Sequence, residues 1–229
     1  IRIPAAARAA GGGDGHLAVI DRQTGWEYDF WQVRRKPARG GRLDVSYGGR
    51  TRIRGTGLGS NATAAWFGLA AGVIRVSEMR AGQISHALFA QVKCTSGRSV
   101  YPAHRGTTAA PCGQFGISPA SAPPLGSRIW LDLPPARIEA LKVPGWRKTI
   151  LRALHRYGMI VGTTNGGNGA WGLQGESGSS FTSFGKPDPW ETFAASVTRP
   201  SDGAYALDID GGVDWSRHLK VLDPCVSRG

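Results

Sequence analysis

The sequence predicts an all-β fold, an antiparallel jelly-roll-like β-sandwich with one substantial helix. Short segments of strand character alternate with turns along most of the chain, which has 34 glycines and 14 prolines in 229 residues. One segment has a strong apolar stripe at helical spacing, and it runs from Trp146 to Tyr157. The length allows a single domain with its own core, predicted over residues 14–229, preceded by a flexible Ala/Gly-rich arm, residues 1–13.

A hairpin is the first predicted element. An apolar run at residues 17–20 and a second run at residues 25–33 flank turn residues between them. Side chains alternate between the two faces of a strand. The face predicted to lie in the core carries Trp26, Tyr28 and Phe30. The face predicted to be open carries Glu27, Asp29 and Trp31.

Two carboxylates and an indole on an open sheet face are typical of a carbohydrate cleft. The indole can stack on a sugar ring, and the carboxylates can bind hydroxyl groups or act as acid and base. Glu27 and Asp29 are expected roughly 7 Å apart along the strand, within the range of paired glycosidase carboxylates. The alternative is a solvated polar face opposite a core face.

The remaining elements follow from the same patterns. Further strands are predicted at residues 42–46, 51–54, 83–92, 128–133, 159–162 and 170–173. A helical turn capped by glycine is predicted at residues 77–82, and a helical stretch begins at Pro134. Residues 62–74 are small and apolar and form either a buried strand or a loop.

Three further side chains are candidate site residues. Glu78 begins the predicted helical turn, where a carboxylate also has a structural role through the helix dipole. His86 lies on the apolar face of the strand at 83–92, where the alternative is a histidine of the core. His104 follows Tyr101 in a long loop, and loops often carry functional residues.

The cysteines indicate an oxidising compartment. Cys94 and Cys112 flank a loop and are predicted to form a disulfide, whereas Cys225 has no assigned role. Three unpaired thiols are the alternative. The chain begins with Ile1, which favours a processed, secreted protein, and no apolar run reaches the ~20 residues of a membrane span.

A net charge of +12 predicts an acidic partner. A polysaccharide, including an acidic one, fits this charge; nucleic acid is disfavoured because no nucleic-acid-binding motif is present. No metal site is assigned and no cofactor is expected. Calcium has one weak indication, in Asp208, Asp210 and Asp214 around two glycines, whose spacing does not match an EF-hand.

An ordered set of short motifs resembles a largely uncharacterised family of secreted bacterial proteins. The motifs are Glu78 to Leu88 (E-x-x-x-G-x-I-x-H-A-L), Tyr101 to His104, 123–128, Ala153 to Ile160 (A-L-x-x-Y-G-M-I), Asn165-Gly166, Trp171 and Asp188 to Trp190. The resemblance spans roughly residues 14–195 and implies a carbohydrate-active jelly roll. The positions it marks are Asp29, Glu78, His86, His104 and Asn165. The family has Asp before Asn-Gly where this chain has Thr164, so no chemistry is assigned there.

These observations predict a secreted carbohydrate-active enzyme, with a glycoside hydrolase as the leading hypothesis. Asp29 and Glu78 would serve as nucleophile or base and as acid, with His86 beside them. The predicted substrate-binding residues are Glu27, Trp31, Tyr101, His104 and Asn165. A polysaccharide lyase acting on an acidic glycan is the first alternative, and a non-catalytic lectin-like module is the second.

Overall fold

The computed structural model describes residues 1–37, 40–57, 59–103, 111–165, 171–194 and 207–224. The chain is β-rich, with two separate sheets and few helices, and it divides into two compact units. The first unit takes in the described residues of Ile1–Ala62, Gly68–Ala70 and Glu176–Asp208. The second takes in those of Thr63–Phe67, Ala71–Gly175 and Ile209–Gly229. The assignment of residues 14–229 to one domain stays a prediction.

The first unit contains a four-stranded antiparallel sheet with the strands in sequence order. Its strands are β1 (Leu17–Asp21), β2 (Trp26–Trp31), β3 (Tyr47–Arg52) and β4 (Gly59–Ser60). The predicted hairpin is confirmed: Asp21 Oδ1 accepts the N–H groups of Gln23 and Thr24 in the turn between β1 and β2. The strand predicted at 42–46 is reduced to one isolated bridge between Arg35 and Asp44.

The arm predicted at residues 1–13 has polar contacts within this unit. The ammonium group of Lys36 donates to the carbonyl oxygens of Pro4 and Ala5, at 3.1 and 2.9 Å. Such exposed contacts contribute little individually. They nevertheless hold the start of the chain near the segment that follows β2.

The second unit contains a five-stranded sheet of order β8-β5-β7-β6-β9. Its strands are β5 (Leu88–Val92), β6 (Arg128–Leu131), β7 (Met159–Thr164), β8 (Trp171–Leu173) and β9 (Leu219–Val221). The prediction of a wholly antiparallel fold is wrong for one pair, because β5 and β7 run parallel. A long connection that includes helices separates these two strands, as a parallel pairing requires.

Helices lie mainly in the second unit. They are α1 (Val76–Ala81), α2 (Pro135–Ala140), α3 (Gly145–Arg156), α4 (Ser179–Thr182), α5 (Glu191–Ala194) and α6 (Trp215–His218). The predicted long helix is confirmed in α3, which buries Ile150, Leu151 and Leu154 and contacts β6. None of the helices in the described ranges is both long and apolar enough to cross a bilayer.

A disulfide joins Cys94 and Cys112, as predicted, with a Cα–Cα distance of 4.9 Å. Both cysteines are buried. Next to the disulfide, Thr95 and Pro111 form a bridge in which the Cys112 N–H donates to the Thr95 carbonyl at 2.8 Å. The covalent link therefore reinforces a backbone contact between the end of β5 and the returning loop.

We expect the double variant Cys94→Ser/Cys112→Ser to be less stable than the wild type. The disulfide joins residues 18 positions apart in the sequence. Removing a disulfide that closes a loop of this size lowers the free energy of unfolding by on the order of 3 kcal/mol. Urea unfolding followed by fluorescence measures the difference. Cys225→Ser is the matched control and should leave the midpoint near that of the wild type; equal loss in both variants would contradict the assignment.

Candidate functional site

The two faces of β2 are exchanged relative to the prediction. Glu27 is 7% exposed and Asp29 is fully buried, so the face predicted to be open is closed. Trp26, Tyr28 and Phe30, predicted to be core residues, are half-buried. The strand alternation was right, but its assignment to inside and outside was wrong.

Backbone N–H groups explain why this face can be buried. The N–H of Leu69 donates to Asp29 Oδ2 at 2.9 Å, and the N–H of Ala70 donates to Glu27 Oε1 at 2.8 Å. Burial of carboxylates is tolerated when such hydrogen bonds compensate the lost hydration. Gly68 permits the approach, because a Cβ there would lie 2.8 Å from Glu27 Oε2.

Other polar side chains complete this buried face. Thr51 lies opposite Glu27 on β3 and is buried, and Asn61 is fully buried. The Asn61 side-chain amide donates to Thr51 Oγ1. The buried face of the first sheet is therefore held by polar contacts at its centre, which a hydrophobic pattern does not reveal.

Asp29 is protonated at neutral pH in this environment. Burial raises the pKa of Asp29 to about 8, with the neighbouring charge of Glu27 as the second cause, against the opposing effect of the Leu69 N–H. No donor among the described residues reaches Asp29 Oδ1. A proton on Asp29 resolves this, because the carboxyl group can then donate to Glu27.

The aromatic face of the first sheet borders an open groove of about 650 Å³. Trp26, Tyr28 and Phe30 stand in a row along β2 and line the groove. Phe30 lies over Gly48, its partner on β3, where a Cβ would approach Phe30 Cδ1 to 2.9 Å. The glycine thus leaves room for the ring to lie against the sheet.

Two arginines from β3 stand on the same face. Arg52 is the register partner of Trp26, and Arg50 is the partner of Tyr28. Both guanidinium groups lie over the Trp26 ring, with their Cζ atoms 4.0 Å (Arg52) and 4.4 Å (Arg50) from its centroid. Cation–π attraction of this kind contributes about 0.5–1 kcal/mol at an exposed site.

A second cluster lies in the second unit, at the start of α1. Glu78 forms a capping box with the backbone of Arg75, where the Arg75 N–H donates to Glu78 Oε2 at 2.9 Å. His86 Nε2 lies 2.9 Å from Glu78 Oε1, and its Nδ1 lies 2.9 Å from the Ala87 carbonyl oxygen. The same Nε2 also lies 3.3 Å from Arg75 Nη1, which in turn lies 3.5 Å from Glu78 Oε1, so the three side chains contact one another.

His86 does not lie on a strand, contrary to the prediction for residues 83–92. β5 begins only at Leu88, whose N–H makes the first bond to the Gly158 carbonyl. The C-cap of α1 at Gly82 leads into an unpaired segment that contains His86. This placement leaves the side chain 22% exposed instead of on an apolar sheet face.

The other predicted site residues are dispersed. Trp31 ends β2 and its indole N–H donates to Asp14 Oδ1 at 3.0 Å. Tyr101 and Asn165 are half-buried in the second unit, where the Asn165 N–H donates to the Val92 carbonyl. His104 lies outside the described residues.

The predicted calcium loop is not a ligand cluster in the described part of the chain. There, no group of three or more His, Cys, Asp or Glu side chains comes close enough to hold a metal ion. Asp214 instead caps α6, where its Oδ1 accepts the Arg217 N–H at 3.2 Å.

The residues that line the aromatic groove were missed as site residues. The missed signal is the alternation in β3: Arg50 and Arg52 share one face, and two arginines rarely lie in a core without partners. Pairing β3 with β2 sets these arginines opposite Tyr28 and Trp26. The aromatic face therefore had to be open to solvent.

No protein-family model, curated protein or solved structure matches the chain.

The raised pKa of Asp29 predicts how stability depends on pH. The folded state holds a proton that the unfolded state releases above its ordinary pKa of 3.8. The contribution of Asp29 to the free energy of unfolding is fully present below pH 3.8 and is lost as the pH rises towards 8. The free energy of unfolding falls over this range by up to about 1.4 kcal/mol per pH unit. Asp29→Asn should remove this slope and be at least as stable at pH 8, because Asn can accept from Leu69 and donate to Glu27.

Denaturant unfolding at a series of pH values between 5 and 9 measures this effect. Asp44→Asn is the matched control, since it makes the same Asp-to-Asn substitution at an exposed carboxylate paired with Arg34. The control should keep the wild-type slope. Parallel pH profiles for Asp29→Asn and the wild type would show that the buried carboxyl group is not protonated.

Proposed function

We propose that this protein binds a glycan on the aromatic face of its first sheet. The observation that carries the proposal is the row Trp26, Tyr28 and Phe30 along an open groove of about 650 Å³. This is the lectin-like alternative among the functions expected from the sequence. The groove replaces the carboxylate face as the proposed binding surface.

The chemistry of the groove suits a sugar chain. Aromatic rings present apolar faces that match the C–H faces of pyranoses, and an extended row of them suits successive residues of an oligosaccharide. Polar groups at the rim, among them the Ser60 hydroxyl and the two arginines, can bind the sugar hydroxyl groups. Tyr28 adds a phenol hydroxyl on the same face.

The buried acid pair supports binding rather than hydrolysis at this sheet. Asp29 is fully buried and Glu27 is nearly so, and each accepts a backbone N–H. A carboxylate in this position cannot contact a substrate in the groove, because it projects from the opposite face of β2. We therefore infer that Glu27 and Asp29 fix the sheet and that the aromatic side chains bind.

Phe30→Ala should weaken glycan binding by about tenfold, or roughly 1.4 kcal/mol. The substitution removes one ring of the row without touching the buried face. Isothermal titration against a panel of neutral and acidic oligosaccharides measures the affinity of the wild type and then of the variant.

Phe184→Ala is the matched control, since Phe184 is 48% exposed and lies outside the groove in the same unit. It should bind as the wild type does. If the wild type binds no oligosaccharide of the panel, or if Phe30→Ala binds as tightly as the wild type, the proposed function is wrong.

Cleavage of a glycan is a second candidate function, favoured by the Glu78–His86 contact in the second unit. A carboxylate and an imidazole 2.9 Å apart can give and take protons in hydrolysis or in β-elimination. Their side chains are 19% and 22% exposed, so water reaches them. With Asp29 buried, Glu78 is the better candidate for an acid or base, and His86 for its partner.

Glu78→Gln should lower any glycan-cleaving activity at least a hundredfold while the protein stays folded. Gln also serves in a capping box, so the start of α1 should be preserved. Reducing ends report hydrolysis or elimination, and absorbance of unsaturated uronides reports elimination alone. Glu139→Gln, at an exposed ion pair with Arg152, is the control; full activity in Glu78→Gln would contradict this second function.

We also propose that the protein is exported from the cell and that its fold is jelly-roll-like. The Cys94–Cys112 disulfide supports export, because such bonds persist in oxidising compartments. The two sheets are compatible with a β-sandwich, while the parallel β5–β7 pair is foreign to an antiparallel jelly roll.

A further inference from the structure

We propose that the groove selects acidic glycans, and that Arg50 and Arg52 bind uronate carboxylates there. This inference rests on the proposed function and names the class of glycan. It goes beyond the aromatic row, because stacking alone does not distinguish a uronic acid from the corresponding neutral sugar.

The positions of the two guanidinium groups are the first argument. Both lie over one indole ring, that of Trp26, at 4.0 and 4.4 Å from its centroid. Two like charges at one ring repel each other, and the ring offsets only part of that repulsion. An anion placed beside them would lower the electrostatic energy of the site.

The lack of a competing acid is the second argument. Within the described residues, neither Arg50 nor Arg52 has an ion pair, and both are exposed. The acidic residue that the strand register sets on this sheet face is Asp21, the partner of Trp26. Its Oδ1 accepts hydrogen bonds from the Gln23 and Thr24 N–H groups that close the turn, and it forms no ion pair with either arginine in the described part of the chain.

Pre-organisation is the third argument. Stacking on Trp26 restrains the planar guanidinium groups, and Arg52 also donates to the Thr24 carbonyl at 3.3 Å. The N–H edges that remain can bind carboxylate oxygens in pairs, which is the favoured geometry of Arg–carboxylate contacts. The net charge of +12 adds a long-range attraction for a polyanion.

The inference is tested by measuring the affinity of the protein for a charged oligosaccharide and for the same oligosaccharide with its charges removed. Oligogalacturonate should bind the wild type at least tenfold more tightly than the same oligomer with its carboxyl groups methyl-esterified. Arg50→Gln/Arg52→Gln should lose this preference and bind both oligomers alike. Arg50→Lys/Arg52→Lys should show an intermediate preference, since it keeps the charge and loses the planar stacking.

Arg80→Gln/Arg137→Gln is the control, because it removes the same two charges from exposed positions of the second unit. It should keep the preference for the charged oligomer. Equal binding of the two oligomers by the wild type, with both weakened by Phe30→Ala, would overturn the acidic selectivity and leave glycan binding in place. Tighter binding of single-stranded oligo-dT than of oligogalacturonate would assign the face to nucleic acid and overturn the inference.

Discussion

Two buried carboxyl groups on one strand constrain the first sheet of this protein. Asp29 and Glu27 each accept a backbone N–H from the segment Gly68–Ala70, and Asp29 holds a proton at neutral pH. Without these hydrogen bonds, burial of two adjacent carboxyl groups would cost several kcal/mol. Because backbone N–H groups bind both carboxyl groups, this face of β2 can lie in the interior. The side chains at the intervening positions of the strand then point to the opposite face.

The half-buried aromatic row along the groove is therefore a consequence of the buried polar pair. A strand that buries Glu27 and Asp29 turns Trp26, Tyr28 and Phe30 to its other face, where they are half-buried and line the groove. The arginines of β3 fall on the same face through the register of the sheet. The proposed binding surface and the buried carboxyl pair are thus the two sides of one strand.

Local patterns in the sequence predicted much of the secondary structure but not which face of the first sheet is buried. The β1–β2 hairpin, helix α3 and the Cys94–Cys112 disulfide follow from alternation, helical spacing and cysteine placement. Hydrophobicity alone assigned the aromatic side chains to the core, because the compensating N–H groups come from Leu69 and Ala70, about forty residues away. The motif that contains Glu78 and His86 does bring these two side chains together, although His86 precedes its strand.

Carboxyl footprinting of the native protein tests the central claim most directly. Carbodiimide-activated coupling of an amine, read residue by residue by mass spectrometry, reports which carboxyl groups solvent reaches. We predict rapid modification of Asp21 and Asp44 and protection of Glu27 and Asp29 until the protein is unfolded. Rapid modification of Glu27 and Asp29 in the folded protein would contradict the buried pair, and with it the outward orientation of the aromatic row.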